Sequence, residues 1–208
     1  MTTPANHAKV SLINYGVGNL GSVRNMFKRL GVHTEDIVAP EDLATASRVM
    51  LPGVGAFDHG MRALQEAGWV DAVRQHVAAG KPLLGICLGM QLLLDSGDEG
   101  ELPGFGFIPG RALKFQAQPG FRVPHMGWNV ANPTRQNSLF ADLEEESRFY
   151  FVHSYYAAPE HEENTLARTP YGDEFASAII SENVYGTQFH PEKSHRFGMR
   201  LLENFSQL

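Results

Sequence analysis

Lys9 to Asn14 (KVSLIN) is an apolar, β-branched run, and between Ser22 and Leu30 the apolar residues Val23, Met26, Phe27 and Leu30 recur at helical spacing. With the glycine-rich turn Gly16 to Gly21 between them, the pattern predicts strand, turn and helix. Gly31 ends that helix, His33 to Val38 can form a second strand, and Ser47 to Leu51 (SRVML) a third that stops at Pro52-Gly53. Met61 to Ala79 reads as helical with a break near Gly68. Pro82 to Ile86 (PLLGI) is a short apolar strand entering a helix over Leu88 to Asp95. Strands alternating with helices imply an α/β fold around a parallel, doubly wound sheet.

After Gly97 the pattern changes. Gly, Pro and aromatic residues crowd Pro103 to Trp128, and later apolar stretches follow one another without clear helices. Shorter, partly antiparallel strands are expected there, at Arg148 to Val152, Ala176 to Ile180 and Tyr185 to Phe189, with a closing helix over Met199 to Phe205.

Composition narrows what such a fold can serve. Of 208 residues 43% are hydrophobic and 19% charged, enough to bury a core, and the length suits one domain over 9–208. Met1 to Ala8 is polar and reads as an extended or disordered stretch ahead of it. A net charge of -6 gives nucleic acid or an anionic membrane surface no electrostatic attraction. No run reaches the ~18 to 20 apolar residues of a membrane span, and the N-terminus lacks the apolar core of a signal peptide, so a cytoplasmic location is expected. The single cysteine excludes an internal disulfide and a multi-thiolate metal site. The sequence calls for no metal and no cofactor.

The sharpest local signal is Gly85-Ile86-Cys87-Leu88-Gly89 at a strand-to-helix junction, the shape of a nucleophile elbow carrying cysteine. Small residues on either side suit a strained turn, and a helix N-terminus would favour the thiolate. A thiol nucleophile needs a base. Among nine histidines, His190 in Phe189-His190-Pro191-Glu192 stands out, because Glu192 two residues on can hold the imidazole. The Leu88 N–H is a natural oxyanion donor beside the nucleophile. Pro52-Gly53-Val54-Gly55 is either an ordinary turn or the source of a second donor.

A competing motif is Gly16-Val17-Gly18-Asn19-Leu20-Gly21, which matches the dinucleotide fingerprint and would make the chain an oxidoreductase. Its acidic partner should close the second strand, whereas Glu35 and Asp36 precede Ile37 and Val38. His7, His33, His59, His76 and His161 read as solvated surface residues, while His125 and His153, amid aromatics, read as part of a binding surface.

The elbow Gly85 to Gln91 (G-x-C-x-G-x-Q) and the late His190-Pro191-Glu192 resemble the class I (triad) glutamine amidotransferases. Within that class the chain is similar to the HisH family, the glutaminase subunits of imidazole glycerol phosphate synthase. Tyr15 to Leu20, Pro52 to Phe57, Pro124 to Asn129, Tyr150 to Tyr155 and Gly186 to Ser194 carry the same likeness in order. The resemblance implies a three-layer, flavodoxin-like fold and hydrolysis of L-glutamine through a Cys87 thioester, with His190 as proton carrier and Glu192 behind it. It further implies an oxyanion hole from the Gly53-Val54 peptide and Leu88, and contacts from Gln91 and Gly55 to the substrate.

The family's glutaminases pass ammonia to a (β/α)8-barrel cyclase in a heterodimer, and the resemblance offers Asn19, Met126, Trp128 and Lys193 as interface residues. For Met126 and Trp128 core packing is the other reading. The stretch 97–105 and Ser194 to Phe205 (SHRFGMRLLENF) also resemble paralogues that supply ammonia to a sugar-modifying synthetase.

Overall fold

The computed structural model describes residues 9–117 and 119–208. The expectation for Met1 to Ala8 lies outside them. The first half supplies four parallel strands, β1 (Val10–Ile13), β2 (Thr34–Ile37), β3 (Val49–Gly53) and β4 (Leu83–Cys87), with helices α1 (Leu20–Leu30), α2 (Phe57–Glu66) and α3 (Trp69–Ala78) between them. α1 starts two residues before its apolar pattern because the Asn19 side chain accepts from the Ser22 N–H at 3.2 Å. α2 starts at Phe57 rather than Met61 because the Phe57 N–H donates to Glu99 Oε2 at 3.0 Å, a cap no local pattern announces. Gly68, at φ 75°, makes the expected break before α3.

Two further departures shape the site. β3 runs through Pro52 and Gly53 rather than stopping before them, and pairs Gly53 with Cys87. Proline is tolerated there because β1 pairs with β3 only through Val49 and Met50, so Pro52 lies past the end of that ladder. The helix after β4, α4, is only Leu88–Gln91 instead of reaching Asp95. Beyond it the Leu93 and Leu94 N–H groups donate only three residues back, to Met90 and Gln91, and the Asp95 N–H goes to the Gly110 carbonyl, so the helical ladder stops; the carbonyls of Leu92 to Asp95 then accept from Phe105, Phe107, Gly106 and Gly104.

The second half contributes β5 (Ser96–Gly97), β6 (Gly110–Lys114), β7 (His125–Val130), β8 (Asn132–Pro133), β9 (Arg148–His153), β10 (Tyr155–Pro159), β11 (Thr165–Tyr171), β12 (Asp173–Ser181), β13 (Val184–Thr187) and α5 (His195–Phe205). Among the described residues the main sheet runs β2-β1-β3-β4-β13-β12-β10-β6-β5, parallel from β2 to β13 and largely antiparallel beyond; β7 and β9 form a separate ribbon. One core, with Val10, Leu12 and Ile86, packs under α1 and α5; the other, with Ile13, Leu51 and Leu83, packs under α2 and α3. That is a three-layer α/β sandwich, doubly wound, with antiparallel strands added in the C-terminal half. The carboxyl ends of β3, β4 and β13 meet at one edge, where ligands bind in open α/β sheets.

Candidate active site

The turn from β4 into α4 holds Cys87 at φ 54° and ψ -109°, a positive φ that few side chains adopt. The flanking glycines make this possible by close approach. A Cβ on Gly85 would stand 2.5 Å from the Gly89 carbonyl oxygen, and one on Gly89 only 1.8 Å from that of Leu51 in β3. The elbow is thus clamped against the strand that ends at Gly53 and leads into Val54. A four-residue helix has little macrodipole, so the support expected from a helix N-terminus is reduced, and activation of the sulfur falls to its side-chain neighbours.

His190 follows β13. Its N–H donates to the Tyr150 carbonyl at 2.9 Å, and its own carbonyl accepts from Ser194 Oγ at 2.6 Å. Pro191–Lys193 then form one 3₁₀ turn, seated on Gly198 so closely that a Cβ there would lie 1.8 Å from the Pro191 oxygen. This turn brings Glu192 Oε1 to 2.8 Å from His190 Nδ1, with both side chains buried. Burial by itself would expel the imidazolium charge. Interaction with Cys87 and with Glu192 outweighs it and raises the His190 pKa to about 9. His190 Nε2 makes no aligned hydrogen bond among the described residues.

Cys87 and His190 line one open cavity of about 470 Å³, together with Val54, Gly55, Leu88, Gln91 and Lys193. Gly53 lies beneath it, buried in β3, with the buried Tyr15 hydroxyl so near that a Cβ on Gly53 would be 2.8 Å from it. That hydroxyl has no hydrogen-bond partner among the described residues, and burial and then the charge of Cys87 push its pKa up. Asn19, Met126 and Trp128 lie outside the cavity lining. Asn19 caps α1, while Met126 and Trp128 are 62% and 45% exposed, which removes the core-packing reading.

Sequence reasoning missed two side chains. Glu99 reaches the cavity while capping α2, and Gln188 is buried behind Cys87 with its Nε2 3.7 Å from the sulfur. Glu99 belongs to an irregular stretch with no pattern to read. Gln188 stands two residues before His190 and was legible only as part of a motif.

His76, expected at the surface, is buried with Nε2 3.1 Å from the Pro82 carbonyl. His125 and His153 are also buried, and His153 lines the cavity. The Tyr155 carbonyl can only accept, so His153 Nδ1 donates to it at 2.8 Å, leaving Nε2 to accept from His125 Nδ1 at 3.0 Å. His153 is therefore neutral, His125 Nε2 faces the Asn129 amide donor at 3.4 Å, which suits a neutral ring too, and burial holds their pKa values at about 3 for His153 and about 4 for His125.

These values give stability a defined pH dependence. Both histidines lie below the ordinary 6.5, so the unfolded chain binds more protons and stability falls as pH drops from there toward 4. His190 acts in reverse: its contribution is complete below 6.5 and is lost as pH rises through about 9. Thermal unfolding should peak near neutrality, with an acid limb of up to ~1.4 kcal/mol per pH unit for each neutral histidine. His125→Gln should flatten that limb by about half; an unchanged limb would refute the assignment.

The Gly16 to Gly21 loop is no dinucleotide cradle. In β2 Glu35 is paired with Ser11 and Lys9 and Asp36 Oδ2 with Arg24, while Asp36 Oδ1 is buried, so the acidic residues the fingerprint would need are committed within the protein. A Cβ on Gly18 would instead stand 3.2 Å from the Pro52 oxygen, so the loop packs beside the β3 end of the site.

Comparison with known proteins agrees with this arrangement. The family described as glutamine amidotransferase class-I matches residues 11–207. The chain is 49% identical over 197 residues to imidazole glycerol phosphate synthase subunit HisH 2 of Methanococcus maripaludis, covering 94% of this chain and 98% of that protein. It is 46% identical over 203 residues to subunit HisH of Bdellovibrio bacteriovorus, covering 96% and 100%. The fold is similar to a crystal structure of a glutamine amidotransferase, TM-score 0.74 at 21% identity, covering 95% of this chain and 97% of that one. It is also similar to a crystal structure of a glutamine amidotransferase from Thermotoga maritima, TM-score 0.62 at 18% identity, covering 97% and 84%. The elbow and the late histidine thus sit in a chain that belongs to the class-I glutamine amidotransferase family, as a member of the HisH type.

Proposed function

We propose that this chain is the glutaminase subunit of an imidazole glycerol phosphate synthase, releasing ammonia from L-glutamine for a cyclase subunit in histidine biosynthesis. The observation that carries the reading is that His190, held by Glu192 at 2.8 Å, lines one cavity with a cysteine at an elbow. The Cys87 thiolate adds to the side-chain carbonyl carbon of glutamine, and the C–N bond breaks as the His190 imidazolium gives its proton to the departing amine. Ammonia leaves and a glutamyl thioester remains. Water then surrenders a proton to His190 and adds to the thioester, the C–S bond breaks, and glutamate departs with the thiolate and imidazolium restored. The Leu88 N–H and the Gly53-Val54 peptide serve the oxyanion. Gln91 and Gly55 hold the amino-acid end of the substrate, and the Glu99 carboxylate suits its ammonium group.

Ammonia released into water becomes unreactive ammonium, so a partner must receive it. A (β/α)8-barrel cyclase in a heterodimer fits the family. Trp128, stacked on His195 at 5.1 Å, exposed Met126, and Lys193 over the Tyr150 ring at 5.7 Å make an apolar and cationic patch to dock it, and the family resemblance adds exposed Asn19. Trp128→Ala should weaken cyclase binding by ~2 kcal/mol, about thirtyfold in Kd by calorimetry; an unaltered Kd would place the interface elsewhere. The reading as a whole is tested by mixing the chain with a cyclase and its ribonucleotide ligand. Glutamate and imidazole glycerol phosphate should appear in equal amounts, and no stimulation by the cyclase would transfer the chain to the sugar-modifying paralogues.

A further inference from the structure

The amide of Gln188 is the end of a hydrogen-bond chain that has only one possible direction. The Tyr155 carbonyl can only accept, and it takes a bond from Gln91 Nε2 at 3.1 Å. The same Nε2 donates to Gln188 Oε1, also at 3.1 Å. With its oxygen thus occupied, Gln188 must turn its NH₂ the other way, where Nε2 lies 3.7 Å from Cys87 Sγ, a normal length for a bond to the large sulfur atom. Gln188 is fully buried, so no water replaces this donor.

We infer that Gln188 holds the reactive sulfur as a thiolate by donating to it, and that Gln91 orients it for the task. This deepens the glutaminase reading and rests on Cys87 as its nucleophile. A charged sulfur accepts such a bond more strongly than a neutral thiol or a thioester, so the donor favours the thiolate before attack and again as it leaves during deacylation. The other titratable groups lining the cavity are His190, His153, Tyr155, Glu99 and Lys193, with Tyr15 buried beside Gly53 beneath it. Gln188 adds a donor that does not itself titrate. Favouring the thiolate also makes it a weaker nucleophile, and the two effects differ in size. If the donor is worth tenfold in thiolate population, the lost nucleophilicity is about threefold.

The test is alkylation by iodoacetamide, which needs neither glutamine nor a partner and has a single thiol to modify. Rates are followed by mass across pH for the parent, Gln188→Met and Gln91→Met. In Gln188→Met the reaction should be about threefold slower where the thiolate is scarce and about threefold faster on the alkaline plateau, so the curves cross. Gln91→Met, which frees the Gln188 amide to flip, should show the same crossing at smaller size. It also keeps the test alive if the buried Gln188→Met chain does not fold. Superimposed or parallel curves in the folded variants would overturn the inference. Such a failure would leave the glutaminase reading standing, since glutamate release in the complex is measured separately; if the inference holds, that assay shows kcat falling with KM little changed in Gln188→Met, whereas Gln91→Met, which also touches substrate, raises KM as well.

Discussion

Cys87→Ala should lower glutamate release in the cyclase complex by at least about 10⁴-fold, to the background of the assay. The size follows from the chemistry: without sulfur there is no thioester, and the remaining oxyanion donors cannot replace a covalent route. Alanine keeps a Cβ at the elbow, so the strained φ of 54° is unchanged, and the fold should alter by less than ~1 kcal/mol. The complex should form with its normal affinity, which separates loss of chemistry from loss of docking. Turnover within tenfold of the parent would rule out Cys87 as nucleophile and, with it, the role given to His190.

The parts of the molecule set by local pattern were legible in the sequence. The β4 run PLLGI is buried on both faces and reads as an apolar block, and the periodic apolar residues of α1 line one face. The elbow and the late histidine were legible because each is a compact motif with a chemical reason for its residues. What escaped was set by distant partners. α2 begins where Glu99 caps it, and α4 ends where the Asp95 N–H turns to Gly110 and the backbone of Gly104 to Phe107 pairs with the residues that follow the helix. The strands β6, β10 and β11 have mixed burial and lean on neighbours far along the chain, so their periodicity is weak. His76 was misjudged for a related reason. Its hydrogen bond to Pro82 crosses from α3 to the start of β4, and polarity alone cannot announce such a contact. The orientation of Gln188 follows only from a chain through Tyr155 and Gln91, two strands and a helix apart.

Gly89→Ala should be among the most destabilising single changes in the chain, although it adds only a methyl group. That methyl would lie 1.8 Å from the Leu51 carbonyl oxygen, a backbone atom of β3 paired in register with Gly85 of β4, so relief requires β3 or the elbow to move as a body. A cost of ~4 kcal/mol is expected, lowering Tm by ~8 to 16 °C for a chain of this size. Because the displaced strand leads into Gly53 and Val54, oxyanion support should fail in whatever protein remains folded. Gly21→Ala is the matched control. It lies in the loop that mimics a dinucleotide fingerprint, yet its Cβ would meet only Asn19 Oδ1 at 3.5 Å, inside the first turn of α1. There alanine should be neutral or stabilise by up to ~1 kcal/mol through helix propensity. Equal unfolding temperatures for the two variants would mean that the elbow is not clamped against β3, and that glycine at position 89 answers to something other than space.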